Sequence, residues 1–126
     1  MSSPETVFEA VGGMAFFEAL VGRFYAGVAA DPGLRPMYPE ADLSGAAHRL
    51  TLFLVQLWGG PTTYSMERGQ PRLRMRHAPF AIDPAARDRW LHHMRGALAA
   101  SDAPPEARAE MLAYFETAAE AMRNRP

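Results

Sequence analysis

Apolar residues recur at three- and four-residue spacing in four stretches of the chain, and no stretch alternates apolar and polar positions as a half-buried strand would. Phe17, Leu20, Val21, Phe24 and Val28 form the first stripe, between a Gly12-Gly13 break and an Asp31-Pro32-Gly33 stop, and predict a helix over about 13–30. Upstream, Val7, Phe8 and Val11 allow only a short helical turn. Leu34 to Pro39 reads as a compact, proline-bounded link carrying Met37 and Tyr38. A second helix is expected from about Ser44, as N-cap, to Trp58, with Leu50, Phe53, Leu54 and Leu57 as its buried face. Gly59-Gly60-Pro61 ends it. Thr62 to Gln70 has no period and reads as a polar loop, long enough that something besides protein packing should set its path. Arg72 to His77 gives at most two helical turns, closed by Pro79, because the residue before a proline avoids the helical region. Asp83-Pro84 supplies an N-cap and a first-turn proline for a third long helix to about Ala100, striped by Trp90, Leu91, Met94, Ala97 and Leu98. The fourth starts near Pro104-Pro105 and buries Met111, Leu112, Phe115, Ala118, Ala119 and Met122. With no repeat, low-complexity tract or linker, residues 1–126 are expected to form one all-α domain of four main helices.

A chain of 126 residues with 48% hydrophobic content is expected to fold and to bury roughly two thirds of its unfolded surface. No apolar run approaches the ~18 residues of a membrane helix, so no membrane partner is expected. The start, Met-Ser-Ser-Pro-Glu-Thr, lacks the basic and apolar regions of a secretory signal. The absence of cysteine excludes disulfides, iron–sulfur clusters and thiol catalysis, and suits a cytoplasmic location. A net charge of -1 gives no reason to expect nucleic acid as a partner. The distribution of charge says more. All 13 basic residues are arginine, and Arg68, Arg72, Arg74 and Arg76 cluster while Glu67 is the only acid between Asp42 and Asp83. A local anion site fits that pattern better than a global one.

Pro71 to Phe80 sets His77 beside three of those arginines. A neutral imidazole can bind a metal, and guanidinium forks match carboxylates, so the stretch suits an iron macrocycle with two carboxylate tails. It equally suits a basic surface turn. Tyr25, Tyr38 and Trp90 place polar tips on or beside apolar faces, either as margin and core residues or as hydrogen-bond donors into a site.

The order and spacing of Val11-Gly12-Gly13, Arg23-Phe24-Tyr25, Pro36-Met37-Tyr38-Pro39, Trp58-Gly59-Gly60-Pro61-Thr62-Thr63-Tyr64-Ser65, Pro71 to Phe80 and Arg87-Asp88-Arg89-Trp90-Leu91 resemble the group II truncated haemoglobins. The resemblance covers about Phe8 to Asn124. It implies a two-over-two helical sandwich around haem b, with His77 as the proximal ligand and its second ring nitrogen held by an acceptor such as a backbone carbonyl. It points to Arg49, Tyr64 and Arg76 for the propionates and to Leu50 and Phe53 for the haem-facing side of the second helix; Leu73 and Met75, four and two positions before His77, are expected to pack against the proximal face, although ordinary core residues would look identical in sequence. For Arg72 and Arg74 a propionate contact and a solvated cationic face remain equally open. Tyr25, Tyr38 and Trp90 become the donors that stabilise a bound ligand, each worth ~1.5 to 3 kcal/mol against a charged acceptor. Ala46, where many globins keep a larger side chain, implies an open route for small ligands. Gln70 departs from the family pattern, where close relatives often carry histidine. His48, His92 and His93 read as surface histidines.

The function so implied is reversible binding of dioxygen, nitric oxide or carbon monoxide at a five-coordinate, histidine-ligated haem iron in a bacterial cytoplasm. A haem enzyme is the alternative, converting nitric oxide or using peroxide. Nothing in the chain resembles a flavin or nicotinamide site, so turnover would need a separate reductase. A haem-free helical interaction module is the third reading.

Overall fold

Helix signals at both ends of each apolar stripe decide where the elements fall. The computed structural model describes residues 5–77 and 80–126, with Arg74 described by its backbone alone; Pro79, expected to close its helix, and residues 1–4 lie outside the described residues. Among the described residues there are seven α-helices, one 3-10 turn at Arg35–Met37, and no strand.

The first, α1 (Val7–Ala10), is a single turn held by a capping box: Glu9 N–H donates to Thr6 Oγ1 at 3.1 Å while the Glu9 carboxylate receives the Thr6 backbone N–H. Its Phe8 N–H donates to the Trp58 carbonyl at 2.9 Å, docking it on the end of the second long helix. The long helices are α2 (Met14–Ala29), α3 (Ser44–Leu57), α6 (Pro84–Ala99) and α7 (Pro105–Met122). Asp83 caps α6 as expected, accepting the Ala86 N–H at 2.8 Å, with Pro84 at the first position. Between the long helices lie two short ones, α4 (Thr63–Arg68) and α5 (Leu73–His77).

Packing runs α3 on α2, α2 on α6 and α6 on α7, so two helix pairs are layered on each other. Phe17, Phe24, Leu54, Met94, Met111 and Phe115 fill the seam at no more than 1% exposure, and α5 leans on α7. Gly60 allows the close approach at the end of α3, since a Cβ there would lie 2.6 Å from Val55 and 2.8 Å from Phe8.

Three expectations about these elements need correction. Ser44 is the first residue of α3 rather than its cap; Leu43 stands at the cap, and the Ser44 N–H donates to the Asp42 carboxylate at 2.8 Å. Thr62 to Gln70 contains α4 instead of a plain loop. The helix is invisible as a stripe because Tyr64 is its only buried residue. Its anchor is polar: the Ser65 N–H donates to Gln56 Oε1 at 2.9 Å and Gln56 Nε2 donates to Ser65 Oγ at 2.7 Å. Finally, Leu57 is 40% exposed, because α3 turns Leu54 and Val55 to the core and leaves Leu57 at the rim.

Candidate functional site

Between α2, α3, α5, α6 and α7 lies a cavity of 530 Å³, within the range of small-molecule and cofactor pockets. Its walls are mostly apolar. Leu50 and Phe53 face it from α3, Leu73 from α5, and Ala118, Ala119 and Met122 from α7, so the second helix serves core and cavity with neighbouring faces. Ala46, 6% exposed, lines it one turn before Leu50. Phe53 meets Tyr64 edge-on at 5.5 Å between ring centroids, and Tyr64, delivered by the Gln56–Ser65 bonds, is 4% exposed.

His77 closes α5 and lines the cavity. Its Nδ1 lies 2.7 Å from the Leu73 carbonyl oxygen. A carbonyl only accepts, so Nδ1 carries a proton, and in the neutral imidazole this makes Nε2 the nitrogen with the lone pair that a metal ligand needs. The segment is pinned from the far end of the chain: the Asn124 side-chain amide donates to the carbonyls of Phe80 at 2.8 Å and His77 at 3.4 Å, and its Oδ1 accepts the Ile82 N–H at 2.8 Å. Asn124 was not legible as a site residue, since these partners are 42–47 residues away.

Tyr25, Tyr38 and Trp90 all line the same cavity. Tyr25 and Tyr38 meet edge-on at 5.6 Å, and Phe24 bridges Tyr25 at 4.9 Å and Trp90 at 5.1 Å. Burial raises the pKa of the Tyr25 phenol, reinforced by the charge Tyr38 would carry. Burial likewise raises that of Tyr38, partly offset by polar contacts from the Tyr25 and Trp90 side chains. Both phenols are therefore protonated donors at neutral pH. Arg35, which sequence patterning did not single out, holds this loop by donating to the carbonyls of Tyr38 at 2.9 Å, Glu40 at 2.7 Å and Ala41 at 3.0 Å.

Arg49, Arg68, Arg76 and Arg87 rim the cavity. Arg49 donates to Glu40 Oε1 at 2.9 Å; the Glu40 carboxyl lies below its usual range through its own backbone N–H and then Arg49. Arg87 pairs with Glu120 and Asp88. Arg76 donates from Nε to the Pro71 carbonyl at 2.8 Å and from Nη2 to the Arg68 carbonyl at 2.9 Å, leaving Nη1. Among the described residues no carboxylate pairs with Arg68 or Arg76. Arg68, expected only as a member of the basic cluster, lies on this rim, and Arg87 joins it without having been singled out, since nothing local separates it from a solvated arginine.

Other expected residues sit elsewhere. Met75 is 60% exposed and does not line the cavity: it is two residues from Leu73 and His77, about 200° around a helix, so it points away when they point in. Gln70 and Arg72 are exposed and also outside the lining; Arg72 has φ 45°, the only positive value at a non-glycine position among the described residues. His48 and His92 are exposed as expected, His48 facing Glu67 at 3.1 Å. His93 is not a surface residue. Its side chain is 17% exposed, and Nε2 lies 2.6 Å from the Asp31 carboxylate.

Chemically, the arrangement fits haem. One imidazole presents a lone pair on an apolar wall, cations without carboxylate partners stand at the rim, and three protonated donors converge in the same space. Among the described residues no cluster of three or more His, Asp or Glu side chains is placed to hold a bare ion, and His77 is the histidine among those that line the cavity. No helix is long and apolar enough to cross a membrane among the described residues.

A family model for bacterial-like globins matches residues 6–124. The chain is 42% identical over 91 residues to the group 2 truncated hemoglobin YjbI of Bacillus subtilis, covering 72% of this chain and 67% of that protein. The thermostable hemoglobin of the actinobacterium Thermobifida fusca is 56% identical with a TM-score of 0.94, covering 97% of this chain and 99% of that one. For the hemoglobin of the thermophilic phototrophic bacterium Chloroflexus aurantiacus the identity is 52% and the TM-score 0.95, with 97% and 100% covered.

Proposed function

This chain belongs to the bacterial-like globins, as a group II truncated haemoglobin that binds small ligands through haem, and on that premise we propose that it holds haem b through His77 and retains dioxygen. The observation that carries the reading is the 2.7 Å bond from His77 Nδ1 to the Leu73 carbonyl, on a residue that lines the cavity. It fixes the tautomer and leaves Nε2 as the ligating nitrogen. When bound, the haem supplies an iron with one position left open for a diatomic ligand. Arg68 and the free Nη1 of Arg76 are the rim cations best suited to the propionates, with Tyr64 as a further donor. Arg49 reaches a propionate only by sharing its guanidinium with Glu40.

Tyr25, Tyr38 and Trp90 do the selecting. Their O–H and N–H groups favour a ligand that accumulates negative charge, each by ~1.5 to 3 kcal/mol. Dioxygen and nitric oxide gain from this more than carbon monoxide. Since a factor of ten in rate corresponds to ~1.4 kcal/mol, two such bonds favour retention over delivery. Ala46 puts only a methyl group on the α3 wall of the cavity, in keeping with an open route for small ligands. Measurement of dioxygen release, followed by turnover with nitric oxide or peroxide and a reductant, tests the proposal. Slow release without turnover fits storage or sensing, slow release with turnover assigns an enzyme served by a separate reductase, and fast release contradicts the donor set.

A further inference from the structure

Asp31 lies in the turn after α2 with its side chain 9% exposed. Its carboxylate accepts three hydrogen bonds: the Gly33 N–H at 2.8 Å and Arg89 Nη1 at 2.9 Å on Oδ1, and His93 Nε2 at 2.6 Å on Oδ2. Arg89 and His93 are one turn apart on α6 and bracket Trp90. The same imidazole reaches back onto α2, where a Cβ on Gly27 would lie 2.5 Å from His93 Nδ1. Gly27 follows Tyr25 by two residues. One side-chain cluster therefore touches both helices that deliver cavity donors, and Phe24 completes the link at 4.9 Å to Tyr25 and 5.1 Å to Trp90.

Apolar packing orients a helix through the fit of its side chains, and a polar tie at its edge narrows the rotation that remains. Charged hydrogen bonds are directional. A carboxylate that grips α6 at residues 89 and 93 sets the rotation of the helix, and so the direction in which the Trp90 indole points. We propose that Asp31 and His93, with Arg89, form a clamp that positions Trp90 and Tyr25 in the cavity. They are positioning residues: none of the three has a place in the site derived above, and Asp31, Arg89 and His93 do not line the cavity. The effect on ligand release rests on the reading of Trp90 as a donor; the clamp itself does not.

The test uses the haem-loaded, carbon monoxide-bound protein labelled with ¹⁵N-tryptophan. The indole N–H cross-peak of Trp90, identified by its loss in Trp90→Phe, reports the ring's position directly. His93→Leu and Asp31→Asn are expected to move that cross-peak and to speed dioxygen release, whereas His93→Gln, whose amide can still donate to Asp31, is expected to restore both toward the parent. An unmoved cross-peak in both disrupting variants overturns the proposal, and so does a failure of glutamine to restore it. Unchanged release in Trp90→Phe defeats only the donor reading, and the cross-peak then decides the clamp by itself.

Discussion

Trp90→Phe removes one N–H from the cavity while keeping an aromatic ring in place. Trp90 lies 5.1 Å from Phe24 and 5.9 Å from Phe115, in tilted and edge-on contacts that a phenyl ring can keep in part. The loss is therefore chiefly one hydrogen bond to a partly anionic ligand, ~1.5 to 3 kcal/mol. At ~1.4 kcal/mol per factor of ten, dioxygen should leave roughly ten to one hundred times faster. Since the indole shares the cavity with the Tyr38 phenol and helps to hold down its pKa, its removal changes the surroundings of that hydroxyl as well. Effects within such a network do not add, so Trp90→Phe combined with Tyr25→Phe should fall short of the product of the single changes. Stopped-flow replacement of dioxygen by carbon monoxide measures the rate, with a thermal melt to show that the variant is folded. An unchanged rate in the folded single variant would show that the indole does not hold the ligand, and strict multiplicativity would show that the donors act independently.

Gly27→Ala should destabilise the fold, although alanine is the better helix former by ~1 kcal/mol, because its Cβ would collide with the His93 ring at 2.5 Å; a higher melting temperature would contradict this. The Asp31 carboxyl lies below its usual range, through the His93 hydrogen bond first and the Gly33 N–H next. A folded pKa below the unfolded ~3.9 means its contribution is complete above that value and lost as pH falls through the folded one. Urea unfolding of parent and Asp31→Asn should accordingly show a stability gap at neutral pH that closes in strong acid, and a gap that widens in acid would reverse the assignment.

The long helices were legible because each carries an apolar stripe bounded by glycine or proline, and the first and third ended within a residue or so of the expected positions. Where side chains rather than stripes hold an element, the pattern fell silent. The short helix of Thr63–Arg68 is fastened by Gln56 and Ser65, and its sequence alone reads as loop. For the cavity, spacing against His77 brought Leu73 in but also suggested Met75, which the helix turns outward. Contacts between distant residues left no local trace: Asn124 against His77, and Asp31 against His93 across 62 residues. The second was obscured further because two adjacent histidines on a polar face look solvated, and only the glycine opposite makes room for one of them.

An iron bound by His77 Nε2, with Nδ1 tied to Leu73, has an iron–imidazole stretching vibration of its own. Resonance Raman spectra of the ferrous, ligand-free protein report that band. The band is expected in the parent, is expected to vanish in His77→Gly, and should return when free imidazole is added to that variant. A band that survives unchanged in His77→Gly without added imidazole would contradict ligation by His77.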